Sequence, residues 1–516
     1  MVTLKEILKN FRSANESDRA LVKKAYEFAA HAHRNHTRYS GEPYMVHLAA
    51  VALSIAKMDM GPRTIAAGLL HDTIEDTDVT SEDIRREFGE EILFLVESVT
   101  KLSAVRYHGT DRHNESLRKL FVATSQDIRV LIVKLTDRLH NMQTLEHIPP
   151  EKQIRIARET LEIYVPIAHR LGIGVIRKEL EDLAFPYVYP EEYKKVSDLL
   201  DVRIPKAEQQ LERERKFLQK RLAESGVTKF HTSFRVKGLF SLYHKLKRKE
   251  WNIDTVYDLL AMRVVVENLE DCYRVMGIIH ELWRPLPQRV KDYINLPKPN
   301  GYQSIHTTVI TNNGLILEIQ IRTQKMHQEA EYGVASHIIY KTNTVEGANT
   351  NASWFSNLVP VLFRPFIWRQ EKVTSHIDKK TDLPNALKAP QWIQQIGEMY
   401  TKDKATSQEF VDDMHKDFFK NRIFVFTPLG DVVDLPTGAT PLDFAYAIHS
   451  EIGDKVAGVK VNHKLVQLNY CLKNGDIVEI ETRKNAHPTQ KWLEMAKTSL
   501  AKRRIRAALA EQEESA

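Results

Sequence analysis

Cysteine is nearly absent from this 516-residue chain, which has only Cys272 and Cys471. Two thiols cannot complete a structural zinc site, and they exclude a disulfide-stapled secreted scaffold. Both are expected to be free thiols in a reducing cytoplasm. Long apolar runs are missing too. Nothing approaches the ~20 apolar residues that span a bilayer, and the opening MVTLKEILKNF carries charge throughout, unlike a leader peptide. Charge of one sign is not in large excess: 74 Lys and Arg face 68 Asp and Glu, for a net charge of +6. That balance permits phosphorylated partners without requiring one.

What remains is ordinary for a soluble globular protein, with 42% hydrophobic and 28% charged residues. The length is too great for one core and predicts roughly two to four domains.

The most informative stretch runs from Arg289 to Lys341. Its second part predicts two strands, YQSIHTT and LEIQIRT, with Asn312-Asn313-Gly314 between them as a turn. Alternation puts Tyr302, Ser304 and His306 on one face of the first strand. On the second, Glu318, Gln320 and Arg322 oppose Leu317, Ile319 and Ile321. A two-residue Asn-Gly loop would place Tyr302 on the apolar side. A three-residue loop with Gly314 left-handed pairs His306 with Gln320 and Ser304 with Arg322, and this is the predicted register. The expected result is a wet face suited to a nucleotide, with an aromatic for a base, cations for phosphates and a carboxylate for a metal. An ordinary amphipathic hairpin with a solvated outer face has the same pattern, and pattern alone leaves both open.

Residues 1–185 carry helical apolar spacing, as in LVKKAYEFAAHAH and VHLAAVALSIAKM. Along them lie His47, the doublet His71-Asp72, Glu75, Asp76 and Asp137. On one helix His71 and Glu75 would be a turn apart, as would Asp72 and Asp76. Histidine with carboxylate suits a divalent ion such as Mn2+ or Zn2+ with positions left for water, which such an ion activates as a nucleophile. The HD doublet alone is a weak motif; HDTIED followed by TDRLHNM is a stronger one.

Residues 186–228 are highly charged and read as a connecting helix with a solvated face. Residues 346–420 read as a polar loop and a helical linker, in which Trp354, Trp368 and Trp392 are expected to be packing anchors. From 421 to 484 short strands are predicted, with turns at Pro428-Leu429-Gly430-Asp431 and Asn474-Gly475-Asp476. The tail, 485–516, reads as a basic helix carrying Lys502, Arg503, Arg504 and Arg506. Charge leaves open whether it is a solvated helix end or an RNA-contacting patch.

RVKD, then YINLPKPNGYQSIHTTV, EIQIRT, MH and AEYGVA in order resemble the synthetase domain of the RelA/SpoT family. The earlier series TRYSGEPYMVH, LLHDTIEDTD, VTKL and VKLTDRLHNM resembles that family's hydrolase domain. The late strands resemble a TGS domain. The resemblance implies a multidomain α+β protein. It would combine an all-α HD hydrolase domain (1–185), a nucleotidyltransferase-like α/β synthetase domain (229–345) and a small β-grasp-like TGS domain (421–484). Long members continue into further domains, so a short form ending after TGS is expected.

The implied activities are two. One transfers pyrophosphate from ATP to the 3′-hydroxyl of GDP or GTP, giving (p)ppGpp and AMP; the other hydrolyses the 3′-pyrophosphate of (p)ppGpp. In the hydrolase domain the resemblance implies that His47, His71, Asp72 and Asp137 hold Mn2+, that Glu75 and Asp76 activate water, and that Arg38 and Asn141 contact nucleotide. In the synthetase domain it implies that Arg235 and Arg263 sandwich adenine, while Lys237, Lys245, Arg289 and Lys291 meet phosphates. Asp258 and Glu318 would bind Mg2+, with Glu318 also taking the acceptor's proton, and Tyr302 would stack on guanine. Lys298, His306 and Gln320 complete the expected nucleotide-binding set. RVKD is the form seen in bifunctional members. One departure is Phe234, where the family usually has Gly, and it puts the ATP-side contacts in question. In TGS, His449 falls at a tRNA-contacting position, implying uncharged tRNA and the ribosome as partners. The alternatives are a hydrolase-only enzyme and a non-catalytic tRNA- or ribosome-binding regulator.

Overall fold

A computed structural model describes residues 2–100, 121–336 and 422–515, apart from isolated positions within those ranges, together with 389 and 393. The expectations for the 346–420 linker and for Trp354, Trp368 and Trp392 fall outside the described residues. The chain forms two compact units, 1–100 with 129–354 and 101–128 with 355–516.

In the first unit the described elements up to Val188 are helices, apart from a β-bridge joining Thr37 to Pro43. Helix α1 (Met45–Lys57) buries His47, Leu48, Val51, Ala52 and Ile55, which is one helical face. Helix α2 (Pro62–Leu70) opens with proline at its first position, where a missing N–H costs nothing. Gly68 lets α2 close onto α1, since a Cβ there would lie 2.5 Å from the Ile55 side chain. That close approach brings His47 and His71 together. Helix α3 (Arg129–Gln143) is buried along Val130, Val133, Asp137 and other positions, and completes the pocket. A fourth helix, α4 (Gly174–Val188), leads into α5 (Pro190–Glu224), which is 35 residues long.

Helix α5 departs from the solvated connector that its charges predicted. Its apolar positions enter two cores: Val196 and Leu200 pack with Phe185, and Leu211, Leu218 and Leu222 pack beneath the sheet. Among the described residues Arg213, Lys216 and Lys220 are exposed, whereas Glu214 is buried between Leu211 and Leu218 and accepts Asn313 Nδ2 at 2.9 Å.

The sheet has the order β1-β2-β6-β5-β3, with β4 also pairing β5. Its strands are β1 (Phe230–Val236), β2 (Leu260–Val266), β3 (Arg284–Pro285), β4 (Lys291–Asp292), β5 (Ile305–Ile310) and β6 (Ile316–Thr323). The predicted hairpin register is found. His306 lies opposite Gln320 and Ile310 opposite Ile316, Thr311 N–H donates to Leu315 O at 2.9 Å, and Gly314 has φ +75. Ile305, Val309, Leu317, Ile319 and Ile321 therefore face the core, packed against α5 and α7 (Leu269–Leu282). Two further helices flank the polar face: α6 (Leu239–Arg248) and α8 (Gln324–Tyr332).

The second unit contains a hairpin, β7 (Arg422–Phe426) with β8 (Val432–Pro436), and a sheet of order β10-β9-β11. That sheet comprises β9 (Val456–Val461), β10 (Lys464–Val466) and β11 (Val478–Thr482), over which α9 (Pro441–Ile448) packs. The predicted turn at Asn474–Asp476 is present, with Gly475 at φ +93. The tail is built into this core: Trp492, Ala496, Ala501 and Ile505 join Val425, Leu442, Phe444 and Val459. Buried Asp443 ties the two parts. It caps α9 through Thr440 and accepts Lys497 N–H at 3.0 Å and Thr498 N–H at 2.8 Å. Thr498 is the residue before α10 (Ser499–Ser515).

Candidate active sites

The first site lies among α1, α2 and α3. Helix α2 ends at Leu70, so the HD doublet sits at a junction before a short Thr73–Asp76 helix, not within one continuous helix. Buried His47, His71 and Asp137 each offer a ligand atom within 4.8 Å of the others, which makes them a candidate metal site among the described residues. Asp72 Oδ2 joins them, 3.1 Å from His71 Nε2 and 3.6 Å from His47 Nε2.

The hydrogen-bond network orients both imidazoles. His71 Nδ1 faces Gly68 O at 2.9 Å, and a carbonyl can only accept, so Nδ1 carries a proton and Nε2 is the nitrogen turned toward Asp72 and His47. His47 Nδ1 faces His140 Nδ1 at 2.9 Å, and Arg38 donates to the same His140 nitrogen at 2.9 Å. His140 Nδ1 is then the acceptor in both bonds, and His47 also presents Nε2 inward. Burial, followed by His47 and Arg38, pushes His140 down to about 3, which keeps it neutral for that role.

The remaining groups lock the carboxylates. Asn141 links Arg38, which donates to its Oδ1 at 2.6 Å, to Asp137 Oδ1, to which it donates at 2.6 Å. Lys134 holds the other Asp137 oxygen at 2.7 Å. Tyr44 donates to Asp72 at 2.8 Å, and its ring stacks on His33 at 4.9 Å. Burial raises Asp137, but Lys134 and the imidazoles hold it well below the usual carboxylate range. Burial lowers His71, yet Asp72 and Asp137 outweigh it and raise the ring to about 10, so Nε2 carries a second proton that an incoming metal would displace. Two inward imidazole nitrogens and two carboxylates fit a divalent transition ion. Asp76 lies beside the Tyr44 hydroxyl, and Glu75 is exposed. Sequence reading missed His140, Lys134, Tyr44 and His33. Tyr44, Lys134 and His140 fall within the motifs TRYSGEPYMVH and VKLTDRLHNM, and the i,i+3 spacing of Lys134 and Asp137 was a further signal.

The second site is the polar face of the six-stranded sheet. Alternation and pairing place Arg235, Arg263, Glu318, Gln320, His306 and Lys291 on that face. Asp258, just before β2, is held by Lys237 at 2.8 Å and by Lys245 of α6 at 2.6 Å. Burial raises Asp258, and the two lysines overcome this to hold it at about 2. Glu318 accepts from Gln320 at 2.8 Å and faces His306 Nδ1 at 3.4 Å. Burial raises it, and these partners bring it below its ordinary value. Tyr302 OH meets His306 Nε2 at 2.8 Å. Lys298 Nζ lies 4.6 Å from the Tyr293 ring centre and 4.8 Å from that of Tyr302. Arg289 lies on the exposed loop before Lys291, its N–H held by Leu286 O at 3.2 Å.

The face is drier than expected. Arg322 is 1% exposed and Ser304 and Gln320 are also buried, because α8 covers that edge. Glu331 of α8 pairs with both Arg322 and Arg263 at 3.1 Å, and His327 meets Arg322 at 2.8 Å. Sequence reading gave Glu331 and His327 no role, although both fall in quoted motifs. Phe234 resolves more simply. It stands opposite Met262 and packs on the apolar core, so its ring is on the far side of the sheet from Arg235.

In the second unit His449 is exposed. Its Nδ1 accepts Glu451 N–H at 3.2 Å, capping a short helix.

These features define a class: a multidomain α+β protein joining an HD-type helical domain to a nucleotidyltransferase-like sheet and a β-grasp-like module. Residues 25–174 match the HD domain family, 234–345 the region found in RelA / SpoT proteins, and 423–482 the TGS domain. The chain is 42% identical over 502 residues to the GTP pyrophosphokinase of Myxococcus xanthus, covering 96% of this chain and 61% of that protein. It is 42% identical over 517 residues to the guanosine-3′,5′-bis(diphosphate) 3′-pyrophosphohydrolase of Aquifex aeolicus, covering 99% and 68%. It is 39% identical over 489 residues to the bifunctional (p)ppGpp synthase/hydrolase SpoT of Escherichia coli, covering 95% and 64%. The chain thus belongs to the RelA/SpoT family, and it spans about three fifths to two thirds of the length of these relatives. No helix among the described residues is long and apolar enough to cross a membrane.

Proposed function

We propose that the chain is a bifunctional alarmone enzyme. One site moves the β,γ-pyrophosphate of ATP to the 3′-hydroxyl of GDP or GTP, and the other removes the 3′-pyrophosphate of (p)ppGpp. The observation that carries the reading is that one chain holds two separate, fully populated constellations: the His47/His71/Asp72/Asp137 cluster, and the cation-ringed Asp258 and Glu318. A metal-only or binding-only protein has no need of both.

On the hydrolase side, His47, His71, Asp72 and Asp137 would hold a divalent ion, taken as Mn2+, which supplies an activated water when bound. Arg38 and Asn141 meet the nucleotide, and Glu75 and Asp76 handle the water's proton. On the synthetase side Lys237, Lys245, Arg289, Lys291 and Lys298 neutralise phosphate charge, the main requirement of phosphoryl transfer. Arg235 and Arg263 flank adenine, and Tyr302, oriented by His306, stacks on guanine. Glu318, ionised at neutral pH, accepts the hydroxyl proton, and together with Asp258 would hold Mg2+. The Phe234 geometry removes the main support for a hydrolase-only reading. Exposed His449 and basic α10 suit contact with uncharged tRNA on the ribosome, in the cytoplasm.

The test is an alarmone assay of the purified chain, with ATP, GDP or GTP and Mg2+, and separately with ppGpp and Mn2+. Glu318→Gln should lower synthesis roughly a thousand-fold and spare hydrolysis, and Asp72→Ala should do the reverse. Loss of both activities in either variant, or neither activity in the parent, refutes two independent sites.

A further inference from the structure

The two sites hold their carboxylates differently, one with a single lysine and neutral donors, the other with two lysines on one aspartate. We infer that the synthetase side has no standing metal site: Asp258 becomes available to a divalent cation only after a nucleotide's phosphates draw off the two lysines that occupy it. The inference rests on reading the polar sheet face as a nucleotide site.

Both Asp258 oxygens are engaged, Oδ2 by Lys237 at 2.8 Å and Oδ1 by Lys245 at 2.6 Å. The three side chains are 19–27% exposed, so water screens them only in part. One carboxylate and two ammonium groups carry a net +1, and a divalent cation reaching for Asp258 meets two positive charges at contact distance. Glu318 does not offset this. One of its oxygens accepts from Gln320 and faces His306, and Lys298 lies within electrostatic reach of Glu318, Arg235 and Lys291. At rest this face attracts anions and repels cations.

A polyphosphate reverses that balance. Its oxygens compete for the ammonium groups, charge for charge, and ammonium–phosphate bonds replace ammonium–carboxylate ones. The freed Asp258 oxygens, Glu318 and the phosphates then make an oxygen-rich, negatively charged pocket of the kind hard divalent cations take. The hydrolase cluster differs. Its one ammonium, Lys134, sits on Asp137 Oδ2, while Oδ1 accepts only the neutral Asn141 amide at 2.6 Å and faces the imidazoles at 3.5 and 3.8 Å. That cluster should take metal with no nucleotide present.

The experiment uses Mn2+ as a paramagnetic probe on the full chain carrying His71→Ala, which removes a ligand of the hydrolase cluster. α,β-Methylene-ATP binding is measured by calorimetry in EDTA, and protein-bound Mn2+ by EPR with and without the analogue. The expected result is analogue binding without metal, and Mn2+ affinity at least about ten-fold higher with analogue than without. Lys245→Met on the same background should bind Mn2+ about ten-fold more tightly with no nucleotide, while losing analogue affinity. Lys237→Met serves as the second variant, because it frees the other oxygen. Equal Mn2+ affinity with and without analogue, in a chain that does bind the analogue, overturns the ordering but leaves the nucleotide site standing. No analogue binding under any metal condition overturns both.

Discussion

The proposed hydrolase cluster and the proposed synthetase face are built from similar residue types and are prepared differently. In the first, Gly68 O and His140 hold the outer imidazole nitrogens, while the carboxylates are bonded by one ammonium, Lys134, and by the neutral groups Asn141 and Tyr44. Asp72 Oδ2 and Asp137 Oδ1 each accept one neutral donor and keep a further lone pair for a metal. In the second, the protein's cations sit on the functional carboxylate itself. A carboxylate that faces neutral donors and an imidazole, whose proton a metal displaces, can take an ion directly, and one gripped by two lysine ammonium groups waits for a polyanion. The difference is in what bonds the ligand oxygens, since both sites contain lysine, histidine and aspartate.

The largest expected effect tests whether the two sites stand on one framework. Gly333, at φ +53 after α8, would place a Cβ 2.1 Å from Leu171 O and 2.4 Å from Gly172, where the helical half meets the sheet half. Val334 N–H donates to the same Leu171 O at 2.9 Å. Gly333→Ala should cost about 3 kcal/mol in denaturant unfolding and lower both activities together. Loss of one activity alone would show that the contact serves only that side.

The contrast sharpens at His140. His140→Ala removes the acceptor behind His47 and should weaken nucleotide-free Mn2+ binding about ten- to hundred-fold by EPR titration. ATP-analogue affinity should not change, and His140→Gln, which restores an acceptor, should recover part of the loss. An unchanged Mn2+ affinity in the alanine variant would mean His47 needs no second partner.

Phe234→Ala probes the other side of the comparison. It removes a ring from the apolar face only, and should cost about 1–2 kcal/mol of stability while ATP-analogue affinity stays within about two-fold. A large affinity loss would show that the strand's position, and not its polar face alone, sets the nucleotide contacts.

The smallest effect depends on pH. Burial pushes His33 down to about 4, and neither ring nitrogen has a partner. Below its ordinary value of 6.5 the unfolded chain takes a proton that the folded chain refuses until about pH 4. Stability therefore falls as pH drops through that window. His33→Phe keeps the stack on Tyr44 and should leave thermal stability at pH 7.5 unchanged. At pH 6 it should gain about 1 kcal/mol over the parent. A gain of equal size at both pH values would point to packing instead of protonation.

Local pattern determined much of this protein. Two-residue alternation and the left-handed Gly314 specified the β5–β6 register, because one step would turn every side chain over. Helical spacing specified the all-α first part, and ordered motifs specified the family. Charge misled where it was read without its partners. The charged α5 hides two apolar faces, Arg322 is buried beneath α8, and the basic tail belongs to the core of the small domain through Asp443. What only the tertiary structure decided is which groups stand together: His140 behind His47, two lysines on Asp258, and Phe234 on the far side of its strand. A sequence fixes which face a side chain takes along its own element. What meets that face depends on how distant elements pack, and that packing sets the charge around every functional atom.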